Sequence, residues 1–221
     1  MDRTEVTTSA RPRAGEEAVS IYDRFAHLYD LMFRVNGYGR SVERYLAARR
    51  LDLPTGARVL DAGCGTGLLT LALARVLRKP ADITSVDLSH ASLQTARRAV
   101  AELREAARHR VRFARANALR LPFPDGAFRM VATSGVVEYL PLGEGLKELA
   151  RVLAPGGYFL HLPVVPSAAT RLLELMFRFK AHPPSEVSAH TERHFRVIER
   201  HRFSPLEPIG WTKIAVLAQK Q

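Results

Sequence analysis

The residues with the clearest chemical meaning are three alternating glycines in Asp61-Ala62-Gly63-Cys64-Gly65-Thr66-Gly67. They stand between a short apolar run and a leucine- and alanine-rich segment, where glycine permits positive φ and close approach of a ligand to the backbone. Leu68 occupies the place of the third glycine of a dinucleotide-binding loop, and no lysine follows Gly67 as in a phosphate-binding loop. The acidic Asp61 disfavours a pyrophosphate and suits a cationic or zwitterionic ligand.

Two further polar residues follow the next apolar runs along the chain. Asp87 ends the run Ser85-Val86-Asp87-Leu88-Ser89, and a carboxylate in that place can accept both hydroxyls of a ribose. Asn117, followed by Ala118, comes after the third run, and its amide can pair with the edge of a purine. Together with the glycine loop, these residues predict a nucleoside ligand that lacks phosphate and carries a charged tail.

An alternation of strands and helices must hold these residues in place. Segments with helical spacing or helix formers separate the apolar runs, and this order predicts crossover units and a mainly parallel sheet. The ligand crevice of such a sheet lies at the carboxyl ends of its strands, where the glycine loop and Asp87 would meet. The predicted strands are Arg58–Asp61, Ile83–Val86, Val111–Ala114, Phe128–Thr133 and Tyr158–Val165.

The two ends of the chain have different patterns. Residues 1–17 are polar and predict a disordered tail, whereas residues 18–50 have the spacing of two cap helices. A helix with a wide apolar face is predicted over 171–180, within a lid-like insertion at 166–195. The segments 196–203 and 211–219 predict two antiparallel strands. A single domain over 18–221 follows from this organisation.

Composition restricts the classes of protein that remain. The 221 residues include 47% hydrophobic residues, which excludes wholesale disorder, and one cysteine, which excludes an intrachain disulfide framework. No apolar run approaches the length of a membrane span, so we expect a cytoplasmic protein. The 33 basic and 22 acidic residues give a net charge of +11. This charge is compatible with nucleic acid, an anionic membrane, an anionic substrate or a merely compositional bias.

The order of these motifs resembles that of the class I S-adenosylmethionine (SAM)-dependent methyltransferases over roughly residues 20–165. Tyr22–Asp30 also resembles the N-terminal helix of the branch that methylates quinone precursors, phospholipids and related small molecules. The resemblance implies a doubly wound α/β fold with a seven-stranded sheet whose last strand is antiparallel, and SAM as the cofactor. Its motifs are Asp61–Gly67, Ser85–Ser89, Asn117–Ala118 with Leu121–Phe128, and Glu148–Gly157.

The resemblance also implies a role for individual residues. Asp61 would orient the amino group of the methionine part directly or through water, Asp87 would bind the ribose, and Asn117 would read the adenine amine. The family often has Asp in place of Asn117, but Asn retains an acceptor oxygen. The other residues of the implied cofactor site are Gly63, Gly65, Gly67, Leu88, Ala118, Ser134, Tyr22 and Tyr29.

The catalytic residue is not fixed by the sequence, and the candidates are Glu138, His161 and Tyr29. A sulfonium methyl donor leaves as a neutral thioether and needs no acid, so a base is required only when the acceptor must lose a proton. The spacing of His190 and His194 would suit a helix face, but the pair is expected to be solvated, and we expect no metal.

These observations favour a methyltransferase with a small lipophilic acceptor, namely a quinone precursor, a lipid head group or a secondary metabolite. The net charge raises the alternative of a tRNA or rRNA methyltransferase, although no RNA-binding module or basic run accompanies it. A noncatalytic SAM-binding protein is the second alternative. The helix at 171–180 could pack on the sheet, cover the acceptor or touch an anionic membrane. The sequence does not predict the oligomeric state.

Overall fold

The computed structural model describes residues 37–49, 51–177 and 179–221. The predicted tail at 1–17 and the first cap helix, with Tyr22 and Tyr29, lie outside these residues. The α-helices of the described ranges are α1 (Tyr38–Ala47), α2 (Leu68–Val76), α3 (His90–Ala101), α4 (Leu142–Val152), α5 (Ala168–Phe177) and α6 (Pro184–Glu192). None of them is long and apolar enough to cross a membrane.

Seven strands form one sheet in the order β3-β2-β1-β4-β5-β7-β6. The strand β7 runs antiparallel to both of its neighbours, whereas the pairs from β3 to β5 are all parallel. The predicted seven-stranded sheet and its antiparallel last strand are therefore confirmed. The strands are β1 (Ala57–Ala62), β2 (Ala81–Asp87), β3 (Arg110–Arg115), β4 (Phe128–Ser134), β5 (Leu153–Leu162), β6 (Phe195–Arg202) and β7 (Ile214–Lys220).

Helices cover both faces of this sheet, because neighbouring residues of a buried strand point to opposite sides. In β1, Val59 joins a core cluster with α1 and α2, while the adjacent Leu60 joins a second cluster with α4. Both residues are completely buried. The double burial explains why the consecutive residues Val59 and Leu60 of β1 are both apolar, and it leaves the carboxyl edge of the sheet as the place for a ligand.

The structure departs from a simple alternation of strands and helices at two places. The helix that begins after Ser89 ends at Ala101, and Arg104–Arg108 forms a separate 3-10 turn because Leu103 has extended backbone angles. The fifth strand, predicted over Tyr158–Val165, is β5 at Leu153–Leu162 and contains Pro155-Gly156-Gly157 as an irregularity. There the register moves from Phe128 opposite Leu153 to Met130 opposite Tyr158.

Candidate functional site

The glycine loop joins β1 to α2 at the carboxyl edge of the sheet. Gly63 and Gly65 have φ values of 71° and 52°, in the left-handed region that favours glycine. The amides of Gly63 and Cys64 donate to the carbonyl of Val86 at 2.8 and 2.9 Å, so the loop is tied to the end of β2. A Cβ at Gly63 would stand 2.1 Å from the side chain of Val136. Any residue other than glycine would therefore clash with Val136 at this position.

Gly67 has a different task from the other two glycines. It lies at the start of α2 with φ of 92°, and a Cβ there would stand 2.9 Å from Cβ of Ala96 in α3. Gly63 and Gly65 line a cleft at the sheet edge, but Gly67 does not. The structure therefore gives Gly67 a role in helix packing, and a role at the cofactor has no support in its position.

Asp87 stands at the end of β2 and lines the same cleft. Its Oδ2 accepts a hydrogen bond from the amide of Gly65 at 2.8 Å, and its Oδ1 accepts one from the amide of Ser89 at 2.9 Å. Ser89 in turn caps α3 by accepting from the amide of Ser92 at 3.0 Å. The carboxylate is thus held at the cleft by the loop on one side and the helix start on the other.

Asn117 follows β3 and lines the cleft together with Leu88 and Ala118. Its Oδ1 accepts a hydrogen bond from the amide of Leu119 at 2.9 Å, which forms a local turn and fixes the side chain. An amide oxygen has two lone pairs and the amide nitrogen two donor hydrogens. The turn and a contact with a ligand are therefore compatible at this residue.

Ser134 at the end of β4 and Tyr38 at the start of α1 also line the cleft. The two hydroxyl oxygens lie 2.5 Å apart, and burial raises the pKa of Tyr38 well above its usual range. The family resemblance implied Tyr22 and Tyr29 as the tyrosines of the cofactor site, and Tyr38 was not predicted. The available signal was an aromatic residue between two glycines, directly before a helix.

Asp61 was predicted to contact the cofactor, but it is completely buried and does not line the cleft. The hydroxyl of Thr70 donates to Oδ2 at 2.6 Å and also lies 2.9 Å from the hydroxyl of Ser85. Within the described part of the chain, Oδ1 has no hydrogen-bond partner. Burial raises the pKa of Asp61 to about 7, and the nearby charge of Asp87 acts in the same direction.

A second, mostly apolar cavity adjoins the cleft, and Gly135, Tyr139 and Lys213 border both spaces. Leu173 from α5 and Phe179 from the following segment line the second cavity. The ring of Phe179 packs against Tyr139 with a centroid separation of 5.6 Å. Gly135, Tyr139 and Lys213 therefore form a wall that the cleft and the second cavity share, which we call the partition.

Two charged residues stand in the wall of the second cavity. Glu138, a predicted candidate, is buried, and its Oε1 accepts from the amide of Val164 at 2.6 Å. Lys213, which sequence reasoning missed, is also buried, and its Nζ lies 3.5 Å from the carbonyl of Leu162. Burial lowers the pKa of Lys213, and the nearby carboxylate of Glu138 opposes that shift.

His161 was the third candidate, and the structure places it in the core of β5, bordering none of the described cavities. It is completely buried, and neither ring nitrogen has a hydrogen-bond partner among the described residues. Burial, with the charges of Lys213 and His182, lowers its pKa to about 3. His161 is therefore a neutral core ring, and its position gives no support to a contact with the acceptor.

Nothing in the described ranges resembles a metal centre, since no three His, Cys, Asp or Glu side chains gather there. His194 lies beyond the end of α6, so the expected shared helix face with His190 is absent. Cys64 lines the cleft, but burial raises the pKa of its thiol well above the usual value and suppresses the nucleophilic thiolate.

The doubly wound sheet, the glycine loop and the acidic residue at the end of β2 define the class of α/β proteins with a nucleoside site at the sheet edge. Comparison with known proteins is consistent with this class. A family model described as a methyltransferase domain matches residues 59–157. The [4+2]-cyclase SpnF is similar in fold, with a TM-score of 0.72 and 20% identity, covering 95% of this chain and 97% of that one.

Curated relatives narrow the class. The chain is 33% identical over 190 residues to a demethylmenaquinone methyltransferase from Lactiplantibacillus plantarum, covering 79% of each protein. It is 37% identical over 158 residues to a demethylmenaquinone methyltransferase from Thermus thermophilus, covering 69% of each. The chain therefore belongs to the class I SAM-dependent methyltransferases, in the branch whose acceptors are small molecules. It is an enzyme of the transferase class with SAM as its methyl donor.

Proposed function

We propose that this enzyme transfers the methyl group of SAM to a ring carbon of a reduced, prenyl-substituted naphthoquinone. The observation that carries the proposal is the mostly apolar second cavity, which shares Tyr139 and Lys213 with the cofactor cleft. The volume of this cavity is about 10 Å³, which is room for about one water, so we propose that Leu173 and Phe179 move apart to admit the lipophilic ring of the acceptor beside the donor. The names of the two relatives with 33% and 37% identity support the same class of acceptor.

The chemistry requires the reduced form of the acceptor. The methyl group of a sulfonium is an electrophile, and an electron-poor quinone ring is a weak nucleophile, whereas the ring of a hydroquinone is electron-rich. The carbon–carbon bond forms as the methyl–sulfur bond breaks, and the thioether leaves without a proton. The protein must align the two reactants and exclude water, which the adjoining cleft and cavity favour.

For the cofactor we propose the arrangement that the motif resemblance implies. Asp87 binds the ribose hydroxyls, Leu88 and Ala118 flank the adenine, and Asn117 pairs with its amine. Ser134, Gly63 and Gly65 surround the methionine part. The unpartnered Oδ1 of Asp61 supports a role toward the ammonium group through an intervening water or a small loop movement, because a buried carboxylate oxygen gains most from a cationic partner.

A turnover experiment tests the acceptor. The full chain is incubated with SAM that carries a trideuterated methyl group and with a short-chain 2-prenyl-1,4-naphthohydroquinone under reducing conditions. We expect a product heavier by one labelled methyl, with the label on the ring carbon, and little product from the oxidised quinone. A chain that labels a tRNA or rRNA pool but not the hydroquinone would refute the proposal in favour of nucleic acid.

We also propose that the segment 166–195 covers the acceptor cavity and meets an anionic membrane through α5. Leu172 and Leu175 on this helix are 61% and 81% exposed, and Arg171 beside them is exposed as well. Leu173 of the same helix lines the acceptor cavity. An apolar outer face with a basic flank is the pattern of interfacial helices, and a membrane would supply the lipophilic acceptor.

Vesicle flotation tests the membrane contact. We expect the wild type to float with vesicles that contain phosphatidylglycerol, and the double variant Leu172→Gln, Leu175→Gln to remain in the dense fraction. Leu206→Gln is the matched control, because Leu206 is 93% exposed on the loop between β6 and β7 and is not part of α5. Equal flotation of all three proteins would exclude α5 as the contact.

A further inference from the structure

The buried carboxylate of Glu138 is only half satisfied. It stands on the 3-10 turn Val137–Tyr139 directly after β4, and its Oε1 accepts from the amide of Val164. Its Oε2 is buried and has no hydrogen-bond partner in the described part of the protein. Burial of a carboxylate oxygen without a hydrogen-bond partner is unfavourable in free energy. A ligand that donates a hydrogen bond to this oxygen would remove the penalty.

Lys213 is the complementary group in the same wall. It lies immediately before β7 and forms an isolated antiparallel bridge with Val164, the residue whose amide holds Glu138. Its ammonium group is buried and has one long hydrogen bond, at 3.5 Å, to the carbonyl of Leu162. Within the described ranges no ion pair joins Lys213 to Glu138, although the carboxylate of Glu138 opposes the lowering of the pKa of Lys213 by burial.

A hydroxyl on an aromatic ring would satisfy both groups at once, since it can donate to a carboxylate and accept from an ammonium. We propose that Glu138 and Lys213 are a catalytic pair for the acceptor, in which Oε2 of Glu138 takes the hydroxyl proton and Nζ of Lys213 holds the oxyanion. This inference rests on the proposed function, because it requires an acceptor that carries an ionisable ring hydroxyl.

Deprotonation of the ring hydroxyl precedes methyl transfer in the proposed reaction. The O–H bond breaks and its proton moves to Glu138, while the electron pair on oxygen raises the nucleophilicity of the neighbouring ring carbon. That carbon forms a bond to the methyl group as the methyl–sulfur bond breaks and S-adenosylhomocysteine leaves as a neutral thioether. Loss of the ring hydrogen as a proton to water, with return of the proton of Glu138 to oxygen, restores the hydroquinone.

Other ionisable groups surround the pair and are part of any pH response. Tyr139 lies on the same turn as Glu138, and Tyr38 faces it from α1; the carboxylate of Glu138 acts on both of their pKa values. His161 faces Lys213 from β5 and stays neutral. Because burial keeps both tyrosines protonated, their hydroxyls add no charge to this cluster at neutral pH.

The test compares the turnover of Glu138→Gln and Lys213→Met with that of the wild type on the short-chain hydroquinone between pH 6 and 9. Gln retains an oxygen for the amide of Val164, so the turn is preserved. We expect kcat of Glu138→Gln to fall by about 10²- to 10⁴-fold, the range of general base catalysis. Its residual rate should rise about tenfold per pH unit, because ionisation must then occur in solution. Lys213→Met should also lower kcat, since the oxyanion loses its counter-charge.

Glu148→Gln is the matched control. Glu148 is likewise a carboxylate that accepts from a backbone amide, that of Leu121 at 2.6 Å, but it pairs with Arg151 and lines neither cavity. We expect this variant to lower the melting temperature and to keep the wild-type pH profile. A hydroquinone with a more acidic hydroxyl should narrow the gap between Glu138→Gln and the wild type, which a purely structural role would not produce.

The outcomes separate the two proposals. A wild type that methylates no hydroquinone overturns both the proposed function and the pair. An active wild type with a Glu138→Gln variant of similar kcat overturns the pair alone. A variant with reduced kcat but an unchanged pH profile, and no benefit from the more acidic acceptor, also overturns it, because Glu138 would then only maintain the turn.

Discussion

Replacement of Asp61 by Asn should abolish a pH dependence of stability that this single carboxyl creates. The group is completely buried, and burial raises its pKa in the folded chain to about 7 from the ordinary value of 3.8. The folded state therefore binds more protons than the unfolded state between these two values. Its stabilising contribution is complete below pH 3.8 and is lost as the pH rises through 7.

The size of the effect follows from the separation of the two pKa values. One pH unit corresponds to about 1.4 kcal/mol, so the free energy of unfolding should fall by about 4 kcal/mol between pH 4 and pH 8 through Asp61 alone. Asn has nearly the same shape and can still accept from the hydroxyl of Thr70. Since Asn does not titrate, the variant lacks this loss.

Urea unfolding of both proteins in half-unit steps from pH 4 to pH 8 measures the effect. The difference in unfolding free energy between Asp61→Asn and the wild type removes the contributions of all other groups, and it should grow in favour of the variant toward pH 8. A difference that stays constant across the range would refute the assignment of a raised pKa to Asp61.

The same two proteins test the proposed role of Asp61 toward SAM. A cationic ligand group near the carboxylate holds it ionised, so binding releases a proton below pH 7 and the affinity of the wild type should rise with pH up to that value. The variant should bind more weakly and without this pH dependence. Calorimetry in two buffers of different ionisation enthalpy measures the proton release, and equal release by both proteins would contradict the role.

Three other substitutions have expected outcomes. Asp87→Ala should weaken SAM binding about tenfold or more in calorimetry, and an unchanged affinity would contradict the ribose contact. Gly67→Ala should lower the unfolding free energy by about 1–3 kcal/mol, because its Cβ would stand 2.9 Å from that of Ala96; an unchanged urea midpoint would argue against this packing role. Tyr38→Phe removes the hydrogen bond to Ser134 and should cost about 1 kcal/mol of stability, which thermal unfolding would detect.

The sequence was most informative where a function is local. The glycine loop, Asp87 and Asn117 follow apolar runs that could be recognised without tertiary information, and all three segments reach the cleft. The alternation of strands and helices was enough to predict a mainly parallel sheet, because short crossovers between parallel strands leave few arrangements, and the family resemblance implied its doubly wound, seven-stranded form.

The sequence was least informative where long-range packing sets the role. Lys213 precedes a strand and has the pattern of a solvated lysine, but the bridge to Val164 turns it into the wall of a cavity. Asp61 and His161 have polar side chains near strand ends, and only the sheet order shows that both are completely buried. The burial of a side chain depends on which residues of neighbouring strands and helices pack against it, and the sequence of a single segment does not contain that information.

The partition of Gly135, Tyr139 and Lys213 has a thermodynamic consequence. Under the proposed function, the donor in the cleft touches side chains that the acceptor also touches, so the two binding equilibria would share part of their free energy. Reciprocity then requires that the factor by which S-adenosylhomocysteine changes the affinity for the acceptor equals the factor by which the acceptor changes the affinity for S-adenosylhomocysteine. A substitution in this shared wall that weakens the coupling should therefore change both of these factors equally.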